Sequence, residues 1–193
     1  MRVRPASTLC RLCPHTRAMS TDAVQLFTAL LALATLAATV VFLPVAIRAR
    51  RGHDSEIVRA VVEYRSLICA LIAGGSMAGS LYFSEVAHYV PCTLCWYQRI
   101  AMYSLAIIAI TATIRRETPT PYFIVLASIG AIISLYHWLL ERFPSIDTGA
   151  CSSAVPCTLV WFEKFGFVTL PFMALVGFVA ILTVCVAPPK EVA

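Results

Sequence analysis

Charge is what this sequence has least of. Asp, Glu, Lys and Arg together supply 13% of its 193 residues, while 60% are hydrophobic. That balance excludes an ordinary water-soluble domain and a disordered chain, both of which need more polar surface. Also missing are a nucleotide-binding glycine fingerprint, a flavin motif and the Cys-x-x-Cys-His of haem attachment. Any redox chemistry must then run through side chains and a diffusible acceptor.

What remains is apolar sequence in long runs. Spanning about 30 Å of hydrocarbon takes roughly 20 helical residues, and five runs approach that length: 24–47, 67–87, 97–114, 122–140 and 165–187. Helices are expected, because an isolated strand in lipid leaves its backbone polar groups unpaired. The predicted fold is an all-α membrane protein, with a four-helix transmembrane bundle core at 67–187 and one additional N-terminal transmembrane helix at 24–47. Residues 1–23 form a tail, 48–66 a basic cytoplasmic linker and 188–193 a cytoplasmic tail. Gly74, Gly75 and Gly79 are read as close helix packing in the membrane. Within the linker, Ile57, Val58, Val61 and Val62 predict a short amphipathic surface helix over 54–64.

Arginine placement orients the spans. The gap at 48–66 holds Arg48, Arg50, Arg51, Arg59 and Arg65, and the next gap on that side holds Arg115 and Arg116. Both belong inside by the excess of positive charge in cytoplasmic loops. The intervening loop at 88–96 has neither Lys nor Arg, and the one at 141–164 offsets Arg142 and Lys164 with Glu141, Asp147 and Glu163. Those two loops are expected outside a bacterial plasma membrane. An outward N-terminal tail would carry Arg2, Arg4, Arg11 and Arg17, so translation is expected to start at Met19, with residues 1–18 untranslated or dispensable. Cys10 and Cys13 fall in that stretch and are taken as incidental. The first span is long and ends in arginines rather than a small-residue cleavage site, which favours an anchor over a signal peptide.

Both outward loops carry a cysteine pair: Pro91-Cys-Thr-Leu-Cys-Trp-Tyr-Gln-Arg99 holds Cys92 and Cys95, and Cys151-Ser-Ser-Ala-Val-Pro-Cys157 holds the second. An oxidising compartment makes disulfides there the rule. A static staple suits Cys151 and Cys157, but closing so small a ring as Cys92 to Cys95 removes little chain entropy. Redox exchange explains both pairs more economically. Cys92 and Cys95 lie just before the span at 97, and Cys157 before the span at 165, so helix entrances can stabilise a thiolate at each. Pro91-Cys-Thr-Leu-Cys-Trp-Tyr-Gln-Arg99 is echoed by Pro156-Cys-Thr-Leu-Val-Trp-Phe-Glu-Lys164, which predicts two duplicated helical hairpins. Arg99, one helical turn after Cys95, could hydrogen-bond a quinone oxygen or anchor at the interface.

The Cys-x-x-Cys-x-Tyr-x-Arg pattern, two further spans and a second outward pair resemble the DsbB/BdbC family of bacterial disulfide-bond-forming membrane proteins, over roughly 64–187. The resemblance implies a thiol:quinone oxidoreductase that reoxidises a thioredoxin-like partner of the DsbA/BdbD type and passes electrons to membrane ubiquinone or menaquinone. It assigns Cys92 and Cys95 to the quinone-proximal disulfide and Cys151 and Cys157 to the partner-facing one. Arg99 matches the family arginine that contacts quinone, and His137 has a place similar to a family histidine near it. The five residues between Cys151 and Cys157 are closer to the compact BdbC-like pattern, and the first span is an addition. No nucleic-acid partner is expected. Rival readings are a vitamin-K-epoxide-reductase-like oxidoreductase, a zinc site built from the four cysteines, structural disulfides alone, and a transporter using Glu85 and His137.

Overall fold

The computed structural model describes residues 15–53, 55–149, 151 and 154–188. The proposed start at Met19 turns on residues that lie mostly outside this set, as do Cys10 and Cys13. Among the described residues six α-helices follow in order: α1 His15–Arg50, α2 Glu56–Glu63, α3 Arg65–Leu81, α4 Thr93–Arg115, α5 Thr120–Arg142 and α6 Leu170–Val186. Among the described residues no strand forms, and one isolated bridge joins Lys164 to Val168. Among the described residues four segments are long and apolar enough to cross a bilayer: Thr21–Arg50, Arg65–Val86, Thr93–Arg115 and Thr120–Arg142. The seventeen residues of α6 are also apolar but shorter. This is an all-α, multi-pass membrane protein.

Helices α3 to α6 pack around Phe123, Leu105, Phe178 and Ile181, all fully buried, while Ile107, Ile114 and Ile132 point outward from the bundle. So many large apolar side chains facing outward on long helices suit a lipid surround rather than water. Helix α1 lies chiefly on α6. Its buried residues are small, Ala29, Ala32, Thr39 and Ala46, and small residues let membrane helices approach closely. In α2, Val58 and Val62 are buried one turn apart against Phe42, Val45 and Ala187, as an amphipathic helix requires. Ile57 faces outward.

At the end opposite the cysteine pairs, buried Arg65 ties three elements together. Its guanidinium donates to the Thr120 hydroxyl at 3.1 Å and to the carbonyls of Ala187 and Pro188 at 2.8 and 3.2 Å. Arg65 is therefore the first residue of α3, locked into the bundle, rather than a solvated linker charge. Ser66 adds a 2.6 Å bond to the Glu117 carbonyl.

Two helix starts differ from the sequence reading. Helix α4 begins at Thr93, four residues before the expected start, because the Cys92 sulfur caps it by accepting from the Cys95 N–H at 3.3 Å. Helix α6 begins at Leu170 rather than 165. Phe165 and Gly166 take positive φ of 56° and 76°, closing a turn in which Lys164 and Val168 exchange backbone bonds, and Pro171 then opens the helix. Cys157 consequently does not stand at a helix entrance. The echoed motif also parts company here: after Cys92 it runs directly into α4, whereas residues 159–164 after Cys157 are not helical. The two copies of the motif therefore take different conformations after their cysteines.

The glycines of α3 are corrected too. A Cβ added at Gly74, Gly75 or Gly79 would meet no atom within 4 Å, so none marks a close approach. The tight crossing is instead at Gly130 of α5, where an added Cβ would lie 2.2 Å from the Phe178 ring of α6. Phe178 is fully buried and has no room to retreat. Gly130→Ala is expected to force α5 from α6 and cost about 1–3 kcal/mol. Thermal unfolding in detergent checks this, with Gly74→Ala as the substitution that should leave the midpoint unchanged.

Candidate functional site

At one end of the bundle α4 begins, α5 ends, and the loop between α5 and α6 folds back over both. Several contacts pin this loop. The Tyr136 hydroxyl donates to the Ile146 carbonyl and receives the Thr148 N–H, both at 3.3 Å. Arg142 pairs with Glu163 at 2.6 Å, Trp138 donates to the Phe167 carbonyl at 3.2 Å, and Thr169 donates to Glu141 at 2.6 Å. A stack of Phe83 on Tyr89 and Tyr89 on Trp161, the latter at 4.7 Å, joins the chain before Cys92 to the chain after Cys157.

Folding back brings all four loop cysteines into one small apolar cluster with Leu94, Leu140, Ile133 and Tyr136. Cys151 and Cys157 form a disulfide with Cα atoms 5.8 Å apart. Cys92 and Cys95 are a dithiol with sulfurs 2.9 Å apart. Cys92 and Cys157 are buried at 5% and 1% exposure, whereas Cys151 is half-buried, so Cys151 is the more exposed residue of its pair.

His137 stands between the two pairs, 2% exposed. Its Nε2 lies 3.1 Å from the Cys157 carbonyl and 3.7 Å from the Cys92 sulfur, and its Nδ1 lies 2.9 Å from the Gln98 amide nitrogen. A carbonyl only accepts and an amide nitrogen only donates, so this network is satisfied by the neutral ring with its proton on Nε2. The sulfurs of Cys92 and Cys157 and a His137 nitrogen all lie within 4.8 Å of one another. As metal ligands these are three donors where a closed zinc site takes four, and the Cys157 sulfur is committed to its disulfide.

Arg99 faces elsewhere. It donates to the Ser84 hydroxyl at 2.7 Å, the Tyr103 hydroxyl at 3.0 Å and the Ser80 carbonyl at 3.4 Å, and it lies 5.0 Å from the Trp96 ring centre. Ser84 belongs to a π-helical turn, Tyr82–Val86, that extends α3; such turns often accompany functional sites. Beside Arg99 opens a cavity of about 370 Å³ between α1, α3, α4 and α6. Cys95, Gln98, Arg99 and Tyr103 line its α4 side. His137 is not among the lining residues; Gln98 touches it from one side and borders the cavity with the other.

Sequence reading missed Gln98, Tyr103, Ser80 and Ser84. Gln98 and Tyr103 had a signal: one is three residues after Cys95 and the other four after Arg99, so each shares its partner's helix face. The serines are on another helix, and nothing local marks them.

The model of the family "Disulfide bond formation protein DsbB" matches residues 63–188. The chain belongs to the DsbB family. Among its relatives are "Disulfide bond formation protein C" of Bacillus subtilis (strain 168), 45% identical over 64% of this chain and 89% of that protein, and "Probable disulfide formation protein C 1" of Bacillus anthracis, 46% identical over 53% and 76%. The "Probable disulfide formation protein" of Oceanobacillus iheyensis is 43% identical over 55% and 75%. No solved structure matches at the same stringency. Membership makes the protein a disulfide-forming oxidoreductase of DsbB type. The matched segment leaves α1 outside it.

The cysteine geometry has a titration consequence. Cys92, at the cap position before the α4 span, has its thiol held well below the ordinary range near 8.5. The bond to Cys95 contributes most, His137 and the Cys95 N–H add to it, and burial opposes them. In the reduced protein, thiolate absorbance at 240 nm should appear at a lower pH than for a free cysteine. His137→Phe should move that midpoint upward and Cys95→Ala should move it further; an unmoved midpoint in both would remove this cause.

Proposed function

We propose that the protein is a membrane thiol:quinone oxidoreductase, which takes two electrons and two protons from the dithiol of a thioredoxin-like protein of the DsbA/BdbD type and delivers them to a membrane quinone. One observation carries this reading. The Cys92 and Cys157 sulfurs lie within 4.8 Å of each other, so a loop disulfide open to a protein partner adjoins a dithiol that borders an apolar cavity.

Access sets the first step. A partner thiolate attacks half-buried Cys151 and displaces the Cys157 thiolate, which is released beside Cys92. With Cys92 and Cys95 in their disulfide form, Cys157 attacks Cys92 and displaces Cys95 as a thiolate at the cavity wall. The partner's second thiol frees Cys151 and leaves the partner oxidised. Cys151 then attacks Cys157, restores the loop disulfide and releases Cys92. Cys151 is then again joined to Cys157, and Cys92 and Cys95 are left as the dithiol that gives its electrons to the acceptor. Rates along the route follow thiolate fraction, sulfur access and leaving-group pKa. His137 is a positioning residue here: its Nε2–H fixes the Cys157 backbone and supports negative charge at Cys92.

The cavity's lining fits a quinone. Its walls are mostly apolar, and Arg99, Tyr103 and Gln98 converge beside Cys95, the composition of small-molecule sites. When bound, a quinone supplies a two-electron, two-proton acceptor. Arg99 would hold a ring oxygen through its guanidinium, and the Ser80, Ser84 and Tyr103 bonds keep that guanidinium in place.

The cysteine end faces out of the cytoplasm of a bacterial plasma membrane on this reading. Arg48, Arg50, Arg51, Arg59, Arg115 and Arg116 all belong to the opposite end, as the positive-inside rule requires. Helices α3 to α6 form the redox unit, α1 is the additional anchor, and the stretch between them that carries α2 is the basic linker.

Cys95→Ala tests the route. Mixed with a reduced thioredoxin-fold oxidase and a soluble quinone analogue, the variant should show no partner-dependent loss of quinone absorbance above background, while the parent protein turns over. Retained turnover in Cys95→Ala would contradict the assignment.

A further inference from the structure

Four residues of α1 line the cavity that reaches Cys95 and Arg99: Thr28, Leu31, Ala32 and Thr35. Their spacing of three, one and three residues puts them on one stripe of the helix. Facing them from α3 are Gly75 and Gly79, the positions where an added Cβ would meet nothing within 4 Å. The cavity exists because α3 withholds side chains where α1 stands off from it.

The position of α1 is set along its length and at the cysteine end. The small residues Ala29, Ala32, Thr39 and Ala46 are buried along its length. At the cysteine end, Asp22 pairs with Lys164 and the Gln25 amide donates to the Tyr89 hydroxyl at 2.6 Å. Lys164 follows Cys157 in the chain and Tyr89 precedes Cys92, so α1 holds a residue on each cysteine-bearing segment. Thr35 lies ten residues beyond Gln25, about 15 Å further from that end along the helix axis. The polar groups Arg99 and Tyr103 meet α3 at Ser80 and Ser84, whereas the lining runs on along α3 to Ile72 and Leu71, about two turns further from the cysteine end; Leu31 and Thr35 belong to the wall that α1 adds to this cavity.

We propose that α1, which lies outside the family-matched segment, is the outer wall of the acceptor site, and that Leu31 and Thr35 contact the hydrocarbon tail of the bound quinone. The inference rests on the quinone reading of the cavity. Helix α1 thereby makes the site favour tailed lipid acceptors over small tail-less quinones, while the headgroup contacts stay with α3 and α4.

The test uses the full chain with its cysteines oxidised, so that binding is measured without turnover. Two probes share one benzoquinone headgroup, one with a decyl tail and one without. Binding is read from quenching of tryptophan fluorescence, since Trp161 lines the cavity and Trp96 adjoins Arg99. Leu31→Phe combined with Thr35→Phe should raise the Kd of the tailed quinone about tenfold or more, the scale of a misfit in an apolar pocket, and leave the tail-less Kd within about twofold. Leu30→Phe, on an exposed part of α1 away from the lining, should change neither Kd, and equal melting midpoints for the variants establish intact folding. If the parent protein binds both quinones and the double variant changes neither Kd, or weakens both equally, α1 is not the tail wall and the acceptor reading stands. If the parent binds neither, the acceptor reading falls and takes this inference with it.

Discussion

The structure depends on the hydrogen bonds of one buried imidazole. His137 projects from the last turns of α5 into the space between the start of α4 and the loop before α6, where it holds the Cys157 carbonyl with one nitrogen and Gln98 with the other. A buried polar ring without partners would cost more than these bonds gain, so the loop and α4 are fixed relative to each other by the same contacts that satisfy it. The consequence is chemical as well as structural. Two cysteine pairs separated by more than fifty residues are held close enough for sulfur to approach sulfur.

Around that contact the molecule separates two environments. On the His137 side lies a small apolar cluster of cysteines, and on the far side of α4's first turn a cavity opens toward α1 and α3. Cys95 belongs to both. Its helix position follows from the Cys92 cap, which starts α4 early enough to turn Cys95, Gln98 and Arg99 along neighbouring faces. Had the helix begun at 97, as its apolar run suggests, Cys95 would have remained in a loop with no fixed relation to Arg99.

Much of this was legible in sequence. Runs of apolar residues gave the helices, because lipid exposure demands them, and the Cys-x-x-Cys-x-Tyr-x-Arg pattern pointed to the family. The errors have physical causes. Hydropathy does not register a sulfur cap, which starts α4 early, or the left-handed Phe165–Gly166 turn, which delays α6. Glycine content in α3 was read as close packing, yet whether a missing side chain admits a neighbouring helix or leaves a void depends on where other helices stand. The contacts of His137 with Cys157, Cys92 and Gln98 had no local signal, because α5, the start of α4 and the loop before α6 are brought together only by the fold. The α1 wall had no sequence signal, since Leu31 and Thr35 look like any lipid-facing residues.

The central claim is that electrons cross between the loops through Cys92 and Cys157. Removing both outer partners isolates that crossing. In the Cys95→Ala, Cys151→Ala double variant, a mild oxidant should join Cys92 to Cys157, and mass spectrometry of unreduced peptides should recover that link as the dominant disulfide. Finding Cys92 and Cys157 free, or either one paired with Cys69 or Cys185, the buried cysteines beside Arg65 at the opposite end of the bundle, would contradict the account.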